Sequence, residues 1–167
     1  MTIGEKIKNV RNLRGLTQKE LGIKLGFDEK SADVRIAQYE SGTRTPKSES
    51  LLQIAAVLDV NINSLKNPSF ENTETFIHLL FDLEQESKKH HTNNFSIISV
   101  PDELGNPQPA IQFHNHLLNE FIAEWQLRRK ELNDKTITEE EYAEWMMNFP
   151  FTSDNCGKSE PIKKWRK

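Results

Sequence analysis

The chain has 167 residues, 35% of them apolar and 28% charged, with a formal net charge of −3. That apolar share allows one large or two small cored domains, no apolar run approaches the roughly 20 residues that span a bilayer, and the single Cys156 can close no internal disulfide. A globular protein of a reducing cytoplasm is expected, with a capped helix at its start in place of an apolar signal segment.

Thr2-Ile3-Gly4-Glu5 has capping-box spacing, and Ile3, Ile7, Val10 and Leu13 recur at helical intervals until Gly15. Leu16-Thr17-Gln18-Lys19-Glu20-Leu21 repeats the signature, with Leu16 and Leu21 as its staple. That second helix keeps Leu21 and Leu25 inward and exits at Gly26. A third segment, opening between Asp28 and Ser31, sets Val34 or Arg35 beside Ile36 and Tyr39 and stops at Gly42, leaving Asp33, Arg35 and Gln38 outward. A fourth helix covers Ser48 to Leu58, and a short fifth holds Ile62 and Leu65.

Residues 1–66 resemble the Cro/repressor-like helix-turn-helix regulators, also called the xenobiotic-response-element family. The resemblance is carried by Leu16-Thr17-Gln18, Leu21, Leu25-Gly26, Ile36, Tyr39-Glu40, Gly42, Pro46 and the run from Leu51 to Val60. Gly22 stands where the family usually has Ala, and the stretch from Gly26 to Ala32 is about four residues longer than the usual turn, which leaves the start of the recognition helix open within residues 28–33. The resemblance implies a five-helix, lambda-repressor-like DNA-binding domain docked on double-stranded DNA. In that docking Thr17 and Gln18 sit at a helix N-terminus on a phosphate, and Asp33, Val34, Arg35 and Gln38 face base edges. Arg can fork onto guanine, Gln onto adenine, Asp can accept from cytosine, and Val can touch a thymine methyl. Ser41, Thr43, Arg44 and Lys47 would add contacts to the phosphates. The resemblance also implies a partly buried ion pair between Arg11 and Glu40. The competing reading of all these residues is a solvated polar surface on an ordinary helical bundle.

Charge changes sign along the chain: residues 1–66 carry +3, residues 67–155 carry −10 and residues 156–167 carry +4. A duplex attracts the first part and repels the second, so the acidic part is expected away from DNA. Asn67-Pro68-Ser69 interrupts the helical pattern, placing a linker at 67–71 between the head (1–66) and a C-terminal dimerisation or sensing region (72–150).

A helix from Asn72 or Thr73 groups Phe76, Ile77, Leu80 and Leu83 and ends in the polar stretch 87–94. Phe95 to Val100 reads as a strand, Pro101 to Pro109 as a loop, and Ala110 to His114 as the partner strand. Such a hairpin needs a helix packed on it. The next helix, from about Asn115 to Asn133, offers Leu118, Phe121, Ile122, Trp125 and Leu132 as that cover. Thr138 to Glu141 is another capping box, with Ile137 and Tyr142 as its staple, and Trp145, Met146 and Phe149 continue its apolar side to Pro150. Residues 151–167 show little apolar periodicity apart from Trp165 and are expected to be a disordered basic tail. The fold class is mainly α: the five-helix head, then a helix, a β-hairpin and two helices.

Enzyme readings find little support. Ser96, Ser99, Lys88 and Lys89 sit in no serine-lysine protease context, and zinc, phosphate-loop and dinucleotide fingerprints are absent. His90-His91 and His114-x-His116 suit zinc by residue type but not by spacing, so no metal and no cofactor is expected. Trp125, Trp145, Met146, Met147 and Phe149 fit a core, a dimer interface or a ligand groove. The reading is a DNA-binding transcriptional regulator, a repressor acting as a homodimer, with room for a small-molecule, peptide or protein effector at its C-terminal region. The alternative is an antitoxin or partner-binding protein whose acidic region engages another protein.

Overall fold

The computed structural model describes residues 1–66 and 73–167; the expected linker at 67–71 lies outside the described residues. The elements run α1 (Ile3–Leu13), α2 (Gln18–Lys24), α3 (Ala32–Glu40), α4 (Ser48–Leu58), α5 (Ile62–Leu65), α6 (Thr73–Lys89), β1 (Phe95–Pro101), β2 (Pro107–Phe113), α7 (His116–Asn133) and α8 (Glu139–Asn148). They divide into two units. One takes residues 1–66, 134–153 and 161–167, the other residues 73–133 and 154–160.

The first unit is built on α1 to α5. Ile7, Leu21, Ile36, Ile54, Leu58 and Leu65 have no exposed surface, so every one of the five helices contributes an anchor to one core. Burying each is worth roughly 1.5–3 kcal/mol. Thr2 and Thr17 cap α1 and α2 through complete capping boxes with Glu5 and Glu20. Two glycines set how closely the helices cross. A Cβ on Gly4 would lie 2.4 Å from the Tyr39 carbonyl oxygen, and one on Gly22 would lie 2.6 Å from that of Ala32. Gly22 is therefore matched to α3 starting at Ala32 directly over it.

The same unit is completed by the far end of the chain. Its α8, with a capping box between Thr138 and Glu141, lays Met147 against the head core. Asn61 donates its backbone N–H to the Met147 carbonyl (3.0 Å) and its amide to the Phe149 carbonyl (3.0 Å). Arg14, the C-cap of α1, grips Glu144 with two nitrogens at 2.6 and 3.1 Å and also donates to the Leu58 and Asp59 carbonyls. The Glu144 hydrogen bond raises the Arg14 pKa above its ordinary value.

Residues 151–167, expected to lack structure, depart from that expectation. Trp165 and Thr152 are buried, Lys163 reaches Asp59 (2.6 Å) and Asn148, and Lys167 reaches Glu140 (2.7 Å). The physical reason is charge: the basic tail neutralises the acidic α8, and Trp165 adds an apolar anchor that periodicity could not show. Hence the acidic stretch does not stay together as a region 72–150, because Glu139 to Glu144 lie in the unit that holds the head.

In the second unit β1 and β2 pair antiparallel with Phe95 opposite Phe113, Ile97 opposite Ile111 and Pro101 opposite Pro107. The second strand thus begins at Pro107, earlier than Ala110, since a two-stranded sheet has edge positions that need no N–H from Pro107 or Pro109. The Asp102 carboxylate closes the loop by accepting from the backbone N–H groups of Leu104 (2.9 Å) and Asn106 (2.8 Å). The hairpin faces α6, where Ile77, Leu80 and Phe81 meet Phe95, Ile97 and Ile111 around a groove of about 360 Å³. The expected cover, α7, instead leaves Leu118, Ile122 and Trp125 exposed. What α7 buries is polar: Glu124 accepts from the backbone N–H groups of Asp154 and Asn155 (3.1 Å each), and Arg128 pairs with Glu131 and Asp154.

Candidate nucleic-acid interface

The interface rests on α2, α3 and the long turn between them. Leu25 caps α2 at its C-terminus, Gly26 turns the chain at φ +80°, and the Phe27 N–H returns to the Gly22 carbonyl (3.0 Å). Asp28 then folds the extra residues into a local turn, its side chain accepting from the Lys30 N–H (2.9 Å) and its carbonyl from the Ser31 N–H (2.9 Å). Ser31 precedes the first turn of α3, which opens at Ala32. The added length is therefore an ordered turn outside the helix, leaving α3 itself with nine residues.

The inward side of α3 is Ala32, Ile36, Tyr39 and Glu40. The spacing from 32 to 36 to 39 is helical, and it rotates Asp33, Val34 and Arg35 to the exposed side, with Gln38 half-buried. Val34 and Arg35 thus stand outside the buried row of Ile36 and Tyr39, on the same side as Asp33. Val34 is an apolar side chain left 52% exposed on the first turn of a helix. Arg35 lies with its guanidinium carbon 5.0 Å from the centre of the Phe27 ring, within cation–π range. Phe27 belongs to the lengthened turn and was missed by sequence reading, because an Arg–aromatic contact across a turn leaves no periodic signal.

Behind this surface, Arg11 donates to both Glu40 carboxylate oxygens, at 2.6 and 3.1 Å, and to the Leu16 carbonyl at 2.6 Å. Gln18 donates its side-chain amide to the same carboxylate (2.8 Å). One buried carboxylate on α3 thereby ties down α1 and α2. An amide has two N–H groups, so Gln18 has a second donor beyond this bond. Thr17 is the α2 N-cap, its hydroxyl accepting from the Glu20 N–H (3.1 Å). The two backbone and side-chain bonds from Thr17 hold the Glu20 carboxyl below its ordinary value. At the edge, Lys19 and Glu29 form an exposed pair at 2.8 Å; that hydrogen bond raises the lysine and lowers the acid.

Ser41, Thr43, Arg44 and Lys47 are all exposed beyond the end of α3. Ser41 and Thr43 share a hydroxyl hydrogen bond (2.9 Å), the Arg44 N–H returns to the Gln38 carbonyl (3.0 Å), and Lys47 is the N-cap residue of α4. They lie on the connection that leaves α3.

The other chemistry-bearing side chains are engaged otherwise. Ser96 and His114 share a hydrogen bond (2.7 Å) on the exposed hairpin, Lys88 pairs with Glu84, and Lys89 with Glu86. Among the described residues no three His, Cys, Asp or Glu side chains converge as metal ligands, and no helix is long and apolar enough to cross a membrane.

Residues 7–65 match the family HTH_3, described as helix-turn-helix. No curated protein matches the chain. A solved structure, described as the crystal structure of the transcriptional regulator BswR, is 30% identical; the similarity covers 53% of this chain and 98% of that one, with a TM-score of 0.39.

Proposed function

We propose that this chain, which belongs through residues 7–65 to the helix-turn-helix family, is a sequence-specific DNA-binding transcriptional regulator that represses by occluding a promoter. The observation that carries the reading is the exposed side of α3, where Asp33, Val34 and Arg35 stand together with Gln38 beside them, while Ala32, Ile36 and Tyr39 hold the helix from behind. Such a helix fits the major groove, and the four side chains supply an acceptor, a methyl-sized apolar contact, a fork of donors and an amide. Phe27 pre-orders Arg35 and lowers the entropy lost when it engages a base. Thr17, Gln18, Ser41, Thr43, Arg44 and Lys47 take the phosphates, which fix register without reading sequence.

Two heads on a two-fold axis would place their recognition helices about 34 Å apart, so the operator is an inverted repeat with half-sites one helical turn apart or a multiple of it. The test is binding of the full chain to DNA from immediately upstream of its own gene, against scrambled DNA, over a salt series. Discriminating binding that weakens steeply with salt supports the reading. Arg35→Ala and Gln38→Ala should each lower discrimination by about 1–3 kcal/mol, whereas Lys47→Ala should weaken all sequences alike and reduce the salt slope by about one. Equal, weak binding to both DNAs by the wild-type chain would overturn it.

A further inference from the structure

Two walls of the second unit face each other without closing. Along α6, Ile77, Leu80, Phe81 and Glu84 fall at helical spacing on one stripe. Along the hairpin, Phe95, Ile97, Pro109 and Ile111 fall at every second position on one face. Between them lies the groove of about 360 Å³, within the size range of small-molecule sites. Its two aromatic rings are held from outside it. Phe81 meets His78 edge-on with centroids 5.7 Å apart, and Phe95 lies against Phe113 at 6.4 Å, both within the range of favourable ring pairs.

We propose that the groove between α6 and the hairpin is a binding site for a lipophilic cation, a small molecule whose positive charge is carried on an apolar body. The lining selects that charge. Among its nine side chains Glu84 is the one charged group, and none carries an N–H or O–H donor. On the strand side, Pro109 has no backbone N–H either. An anion, or a ligand that must accept hydrogen bonds, therefore finds no side-chain partner in the groove. A cation with an apolar body finds aliphatic walls for its bulk, the rings of Phe81 and Phe95 for its charge, and Glu84 as a counter-charge. Phe81 is 49% exposed, so its ring is accessible to such a ligand. Glu84 is paired with Lys88 at 3.1 Å, yet both side chains are more than half exposed, and pairs of that kind are weak and readily exchanged. The surrounding unit has the matching sign: residues 73–133 and 154–160 hold 6 Lys and Arg against 11 Asp and Glu, a net −5, and such a field draws cations in.

This site goes beyond the DNA reading proposed for the head and stands independently of it, so it is tested without DNA. Two ions of the same shape and opposite charge, tetraphenylphosphonium and tetraphenylborate, are titrated into the full-length chain by isothermal calorimetry. Amide hydrogen exchange resolved by segment places the bound ion. The expected result is one phosphonium per chain, bound at least tenfold more tightly than borate, with added protection in α6 and β1. The thermal midpoint should rise with phosphonium concentration. Glu84→Gln should narrow the preference to less than threefold, and Glu84→Lys should reverse it. Glu74→Gln, the same loss of charge on α6 but outside the groove, should leave the preference unchanged. Phe81→Leu, which keeps an apolar wall and removes the ring, should weaken phosphonium more than borate. Absence of saturable phosphonium binding would overturn the proposal, whether the groove is then closed by a second copy or open to a neutral or peptide ligand. So would borate binding as tightly, or Glu74→Gln and Glu84→Gln behaving alike.

Discussion

Adding one methyl group at Gly22 should weaken this protein, against the usual direction of the exchange. Gly→Ala inside a helix ordinarily stabilises by roughly 0.5–1 kcal/mol, because the unfolded chain loses freedom. At Gly22 the new Cβ would lie 2.6 Å from the Ala32 carbonyl oxygen and 2.8 Å from both the Ala32 carbonyl carbon and its Cβ. Two of those atoms are backbone and cannot swing aside, so α3 must move off α2. Overpacking of this kind costs about 1–3 kcal/mol, leaving a net loss of up to about 2.5 kcal/mol after the propensity gain. At about 2–4 °C per kcal/mol for a chain of this size the midpoint should fall by up to about 10 °C, as followed by far-UV circular dichroism. With α3 as the proposed reading helix, operator affinity should fall with it. Replacing Ala32 by Gly as well removes the Cβ neighbour but not the carbonyl, so Gly22→Ala/Ala32→Gly should remain below wild type. A Gly22→Ala chain that melts higher than wild type, by the propensity gain, would refute the close approach of the two helices.

Glu40→Ala should cost about 3–5 kcal/mol in urea unfolding, because it strands the buried Arg11 guanidinium without its carboxylate. Trp165→Ala should destabilise by about 3–5 kcal/mol, the usual cost of emptying a buried Trp site, whereas a disordered tail would give no change. Glu20 and Glu141 are held below their ordinary 4.5 chiefly by the Thr17 and Thr138 backbone N–H groups. A folded-state pKa that is lowered stabilises above the unfolded value and is lost as pH falls through the folded one, so stability should decline below about pH 4.5. Glu20→Gln, which keeps a capping acceptor but no charge, should flatten that decline when acid unfolding curves are compared.

The head was legible because its signals are local. Thr2, Thr17 and Thr138 each announce a helix start within four residues, and Gly15, Gly26 and Gly42 each mark where one stops. The long turn resisted, since Asp28 orders it through its own backbone and Ala32, a small residue, gives little hint that it is the innermost point of α3. Val34 was ambiguous for a related reason: apolar character alone does not say whether a side chain faces a core or a groove. The C-terminal third was harder because its determinants are distant in sequence. Nothing near Glu144 points to Arg14, 130 residues earlier, and nothing in Lys163 foretells that it reaches Asp59 or in Trp165 that it is buried. Phe27 under Arg35 belongs to the same class.

The unit that joins residues 1–66 to 161–167 has a topological consequence. The backbone passes from one unit to the other between 66 and 73, and again after 133, after 153 and after 160, so residues 73–133 are an excursion out of a unit that is finished only when residues 134–153 and 161–167 arrive. A chain cut at residue 66, the obvious place to isolate such a head, would lose Met147 from its core wall and the Glu144 carboxylate from Arg14. On the ribosome the order is the same. The α3 helix emerges early, yet it waits for α8 and the segment after it before the body that carries it is closed.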